Sequence, residues 1–166
     1  SAEVSASRIA MAMAAYQRTL VSDQTPHDRN LRGDMSAMTP AEMQGRQVYL
    51  SAGCQRCHGG ALLSDHNFHY IGVRPQAADL GRFAVTGVNG DRGRMRTPML
   101  RNIELSAPYF ADGRFRTREE AVDFYNRGGD FTAPNKDPRI VPLNLTPQQR
   151  AAIVSFLRRP LTDPRV

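Results

Sequence analysis

Apolar residues recur at helical spacing in four stretches of the chain. From Ser7 to about Ser22, Ile9, Met13, Tyr16 and Leu20 fall on one stripe of a 3.6-residue period. The run Thr39-Pro40-Ala41-Glu42 signals a second start: a capping threonine, a proline at the first helical position and a glutamate that closes a capping box. That helix is predicted to run towards Gly53. Thr117-Arg118-Glu119-Glu120 opens a third in a similar way, and Gly128-Gly129 suits its left-handed stop. The fourth begins at Thr146, carries Ile153, Val154, Phe156 and Leu157, and ends ahead of Pro160.

Between Gly59 and Pro108 neither a period of 2 nor one of 3.6 is sustained, and glycine, proline and arginine dominate. So long a structureless stretch inside a compact domain counts against the assignment unless something large and apolar supplies the missing core. Residues 23–38, polar and carrying Pro26 and Gly33, read as a linker between the first helix and the rest.

Composition narrows this picture. The 166 residues suffice for one domain and are short for two. No run approaches the ~18–20 apolar residues of a membrane span, and no basic-then-apolar signal opens the sequence, so any export signal is expected to have been removed already. The net charge of +6 comes from 22 basic residues, nearly all arginine and interleaved with acids. Without a lysine-rich tail or a base-stacking motif this argues against nucleic acid. It fits a docking face for an acidic redox partner, or counter-ions for a buried anionic cofactor.

The chemistry is concentrated in Ser51 to Gly60, which holds both cysteines. Cys54-x-x-Cys57-His58 is the attachment sequence of c-type haem. On one helical turn the two thiols can form thioethers to the haem vinyls while His58 meets the iron. A ring fixed to the backbone becomes part of the core, which explains how the loop-rich half can pack. A thioredoxin-like pair would want a preceding βαβ pattern, and none is visible. A structural zinc site needs four ligands, and beyond the motif only His66 and His69 offer themselves, at the wrong spacing. Both read better as loop or propionate-contacting residues. Covalent haem implies a periplasmic protein, since haem c is assembled outside the bacterial inner membrane, and it leaves no cysteine for a disulfide.

An ordered set of segments then resembles the C-terminal haem domain of the bacterial di-haem cytochrome c peroxidases and MauG-type proteins. It comprises AMAAYQRTLVS, GCQRCHGG, FHYIGV with DLGRFAVTG, TPMLRNIELSAPYFADGRF, EEAVDFYNRGG and LTPQQRAAIVSFLRRPLT. The resemblance implies an all-α, cytochrome c-type fold wrapped around one haem. Residues 1–22 would lead in from a preceding domain, 23–38 would link, and 39–166 would form the haem domain. It implies that Cys54, Cys57 and His58 bind haem c. It also places the second axial ligand at Tyr125, where peroxidases carry methionine and MauG-type members tyrosine. The carbonyls of Ser106 and Pro108 match two positions that help hold a calcium ion. Several departures accompany the likeness. The family carries two attachment motifs and this chain one, the tryptophan between the haems is absent, and Ala111 stands where many relatives have histidine. The expectation is therefore a fragment, or one polypeptide of a split assembly, partnered by an N-terminal haem domain that reacts with peroxide.

From the residues alone the sixth ligand stays open. A tyrosine beside Phe124 on an amphipathic helix is ordinarily core. Met99, with Met95 behind it, is the rival, because thioether sulfur is the usual second ligand of electron-carrying cytochromes c. An open site is the third option. Of the arginines near the wrapping loops, Arg101 and then Arg96 are the expected propionate partners. The expected function is an electron-transfer and redox-storage domain of a di-haem oxidoreductase of the hydrogen-peroxide-dependent type. The alternatives are a stand-alone periplasmic electron carrier or, with an open iron, a peroxidase in its own right.

Overall fold

The computed structural model describes residues 3–166 of a mostly helical protein. The first helix, α1 (Ala6–Gln17), is capped by Ser5, whose hydroxyl accepts from the Arg8 N–H. Its apolar stripe forms as expected but is left open: no residue of α1 is buried, and Ile9, Met13, Tyr16 and Leu20 are all more than half exposed. Ser1 and Ala2, included in the expected lead-in segment, lie outside the described residues.

Residues 23–38, expected as a linker, are instead folded onto the body. They contain α2 (Pro26–Leu31), opened by a complete capping box between Thr25 and Asp28. Thr25, His27 and Asp28 are buried, Met38 joins the core, and Asp163 accepts from the Gln24 N–H at 3.1 Å. The correction has a physical cause. A buried carboxylate needs a charged or hydrogen-bonding partner; Asp28 has Thr25 beside it and its counter-charge, Arg101, 73 residues along the chain.

Helix α3 (Pro40–Ser51) carries the predicted Thr39–Glu42 box. It crosses α6 (Pro147–Phe156), capped by Thr146 and Gln149. Gly45 is what lets the two backbones approach, since a Cβ there would sit 2.1 Å from the Ala152 carbonyl oxygen. Around the crossing, Tyr49 and Phe156 lie 5.1 Å apart, enclosed by Met38, Leu63 and Leu161. Helix α5 (Arg118–Asn126), boxed by Thr117 and Glu120, adds Val122 to a second cluster with Ile153 and Val154. It stops at Gly128 and Gly129, both at positive φ.

The stretch from Gly59 to Pro108 holds only short elements. These are β1 (Phe68–His69), the single-turn α4 (Phe83–Thr86), β2 (Met95–Arg96) and 3-10 turns at Asn89–Asp91 and Ile103–Leu105, with β1 and β2 pairing antiparallel. Two of its arginines are structural rather than free: Arg92 lies 3.8 Å over the Phe83 ring and Arg82 4.3 Å over Phe68.

Candidate cofactor site

The end of α3 leads straight into the site. Gly53, at φ 80°, turns the chain into a 3-10 turn over Cys54–Arg56, and the His58 N–H closes back on the Cys54 carbonyl at 2.9 Å. One compact turn thus presents both thiols and the imidazole. The Tyr49 hydroxyl donates to the His58 carbonyl at 2.5 Å and fixes the turn against the core. His58 Nδ1 lies 3.3 Å from the Leu63 carbonyl and 3.2 Å from that of Pro98. Carbonyls only accept, so the Nδ1 proton is the one donated and Nε2 keeps its lone pair. Burial, outweighing these bonds, holds the imidazole below its ordinary pKa and hence neutral. A metal ligand has to be in that state.

Cys54, Cys57 and His58 border a cavity of about 550 Å³, within the ~300–1,000 Å³ usual for cofactor and ligand sites. Its walls are apolar, with Ile71, Leu100, Ile103, Val122, Leu145 and Ile153 among them. The two cysteines form no disulfide, and burial raises both thiols, Cys54 to about 11. They are protonated and unsuited to thiolate redox chemistry near neutral pH. Neutral imidazole, paired thiols and a large apolar hollow in the midst of irregular backbone together fit a covalently attached haem.

Tyr125 also lines this cavity. On α5, Phe124 takes the fully buried position against Phe110 and Phe115. Tyr125, about 100° further round the helix, faces the hollow, and among the described residues its hydroxyl has no hydrogen-bond partner. Burial, then the neighbouring Cys54 and Cys57, push its phenol above the ordinary value. Only a cation in the cavity would hold it as phenolate.

Met99 is placed otherwise. It is 51% exposed and outside the cavity lining, because the Pro98 carbonyl and the Leu100 side chain occupy the inward positions on either side of it. Of the two methionines, only Met95 on β2 borders the cavity. Arg101 is engaged elsewhere. Its guanidinium meets Asp28 in two bonds of 2.6 and 2.7 Å and donates to the carbonyls of Ala61 and Ser22, away from the cavity. Arg96 does border the cavity and donates to His66 Nδ1 at 2.8 Å. Ser106 and Pro108 line it as well.

Two further features lie at its edge. Arg74 borders the cavity and pairs with Asp79 at 2.6 Å. His69 stands between carboxylates, Nε2 2.9 Å from Asp65 and Nδ1 2.7 Å from Asp137, and Arg139 bonds Asp137 as well as the Arg56 carbonyl. Potential ligand atoms of Cys57, Asp65 and His69 come within 4.8 Å of one another. However, both His69 nitrogens are engaged by carboxylates, and a structural zinc would need a fourth ligand. The Asp137 side of this cluster lies 68 residues from His69 in sequence, with no local signal to announce it.

A family model described as cytochrome c matches residues 42–159. A cytochrome-c peroxidase of Denitromonas iodatirespirans is 35% identical over 93% of this chain and 50% of its own length. The methylamine utilization protein MauG of Methylorubrum extorquens is 34% identical over 97% of this chain and 46% of its own. Among solved structures, a MauG-like protein associated with microbial copper homeostasis superposes with a TM-score of 0.88 at 33% identity. That match covers 99% of this chain and 55% of the other. The chain thus spans about half the length of the relatives it matches.

Proposed function

The chain belongs to the cytochrome c family, with di-haem cytochrome c peroxidases and MauG-type proteins as its relatives, and on that footing we propose a redox-storage unit with His/Tyr ligation. Its cofactor is covalent haem c. When bound, the haem supplies a one-electron centre. Cys54 and Cys57 would hold it by thioether bonds, and His58 Nε2 and Tyr125 would supply ligands to its iron. The phenolate of Tyr125, hard and anionic, favours the oxidised over the reduced metal, so this residue sets a low potential. Such a centre stores oxidising equivalents better than it shuttles electrons. Its counterpart on this reading is a second, peroxide-reacting haem domain, and its compartment the periplasm. Among the described residues no helix is long and apolar enough to cross a membrane. Arg96 would neutralise a propionate. The Ser106 and Pro108 carbonyls would contribute to a calcium site, which chelation followed by thermal melting would reveal.

One observation carries the reading. The carbonyl clamp on His58 Nδ1 leaves Nε2 with its lone pair, and His58 borders the same cavity as Tyr125, whose hydroxyl has no hydrogen-bond partner among the described residues. The test is the oxidised spectrum and redox titration of the haem-loaded protein beside Tyr125→Phe. The wild type should lack the methionine-to-iron charge-transfer band, and the variant should rise in potential by on the order of 100 mV or more, in line with the wide tuning range of axial ligands. Identical behaviour of the two would take the phenol off the iron.

A further inference from the structure

Behind His58 lies a second cavity, of about 260 Å³, to which the haem reading gives no role. His27 of α2, Arg46 of α3, Gln55 of the attachment turn and Arg101 border it, and His58 lines both this hollow and the larger one. His27 is only 9% exposed, and its Nδ1 is buried with no hydrogen-bond partner among the described residues. The ring is held edge-on to Phe156 at 5.3 Å, so it cannot turn freely to find a partner. Arg46 Nε is likewise buried without a partner.

The nearby acids do not answer this need. Glu42, one helical turn before Arg46, would be its ordinary i, i+4 partner. That carboxylate is already engaged by Arg159 and by the Thr39 N–H of its own capping box. Asp28, the one acid on the cavity wall, is bound by Arg101 and Thr25. What remains is a positively charged wall with buried, unpaired polar groups, whereas buried polar atoms in folded proteins are nearly always paired. The volume is several times the ~30 Å³ share of a water molecule and lies below the usual range for larger organic ligands. A guanidinium fork matches a planar carboxylate.

We propose that this cavity binds a small monocarboxylate, held by Arg46 with His27 and Gln55 beside it. Burial, followed by the repulsion of Arg46, lowers the His27 pKa, so the ring serves as a neutral hydrogen-bond donor while Arg46 supplies the charge. Negative charge bound next to His58 favours the oxidised state of the centre this histidine serves. Binding rests on these side chains alone; only its effect on the potential rests on the haem reading.

Acetate is the probe, titrated into the haem-loaded protein at constant ionic strength with chloride as the control anion. Binding is read by calorimetry and the midpoint potential by redox titration. Saturable acetate binding is expected, weakened about tenfold or more in Arg46→Gln and in His27→Phe, as loss of one charge-assisted bond would give. His27→Phe retains the stack on Phe156 and so guards against a variant that merely misfolds. The potential should fall saturably with acetate in the wild type. Absence of saturable binding, equal binding by chloride, or binding undiminished in both variants would overturn the site. Binding with an unmoved potential would uphold the site and count against the haem assignment of His58.

Discussion

The α3–α6 side and the Gly59–Pro108 side of this molecule are held together by different means. On the first, helices capped by their own sequence cross so closely that Gly45 has to lack a Cβ, and Tyr49, Phe156 and Leu161 fill the space between them. On the second, β1, β2 and the single-turn α4 are too short to form a layer, and the segment arches over a hollow of about 550 Å³. An apolar interior of that size, walled by loops on one side and by α5 and α6 on the other, has to be completed by a bound group if the loops are to keep their places. One half of the domain therefore carries its core in its sequence. The other half borrows it from a cofactor.

The sharpest way to break this contrast is to remove the attachment. In Cys54→Ala/Cys57→Ala the thioethers cannot form, and the covalent haem signal should vanish in denaturing gels stained for haem. Hydrogen exchange should then show near-complete loss of protection across 59–108, while amides of α3 and α6 keep most of theirs. Uniform loss across both halves would mean that the helical side does not stand alone. Unchanged protection would mean that the wrap needs no cofactor.

Next in size comes the strap between the halves. Arg101, on the wrapping segment, meets Asp28 on α2 with both side chains about nine-tenths buried, and it also donates to the Ala61 carbonyl just past the attachment turn. Asp28→Asn leaves a buried guanidinium without its counter-charge, a change that costs roughly 3–5 kcal/mol. The midpoint of denaturant unfolding should fall accordingly. Exchange should quicken first around Ala61–Leu63, where Arg101 holds the wrap through the Ala61 carbonyl.

The two halves also differ in how far the sequence disclosed them. Helical boundaries were legible because cap and box lie within four residues of each other. The attachment motif was legible because thiols and imidazole share one turn. Helix α2 bears the same Thr-Pro-x-acid start as α3 and could have been read from it. Its polar side chains nevertheless read as a linker, and the partner that justifies burying Asp28 lies 73 residues away. The same distance problem hid the engagement of Arg101 with Asp28 and of His69 with Asp137. The placing of Met99 was hidden for a different reason. In an irregular segment no period says which of two neighbouring residues turns inward, and Pro98 and Leu100 took the inward places. Periodicity could not separate Phe124 from Tyr125 either, since adjacent aromatic residues on one helix are told apart only by what packs against each.

The smallest effect concerns acid. Asp65 ties the wrapped half to the attachment turn: its N–H donates to the Cys57 carbonyl, and its carboxylate accepts from the Asn67 N–H and from His69. Burial works against the charge, but the Asn67 bond, then Thr97 and His69, outweigh it and hold the carboxyl at about 2, down from the usual 3.8. A depressed carboxylate stabilises the folded state above its unfolded pKa, and that stabilisation is lost as pH falls through the folded value. The window is therefore about pH 4 down to 2. Over it the wrapped half should lose exchange protection ahead of α3 and α6, with the haem still covalently attached. Asp65→Asn should be slightly less stable at pH 7 and should show a flatter decline between pH 4 and 2. If the variant declines as steeply as the wild type, the acid sensitivity of the wrap lies with other carboxylates, and the contrast between the halves would have to rest on the cofactor alone.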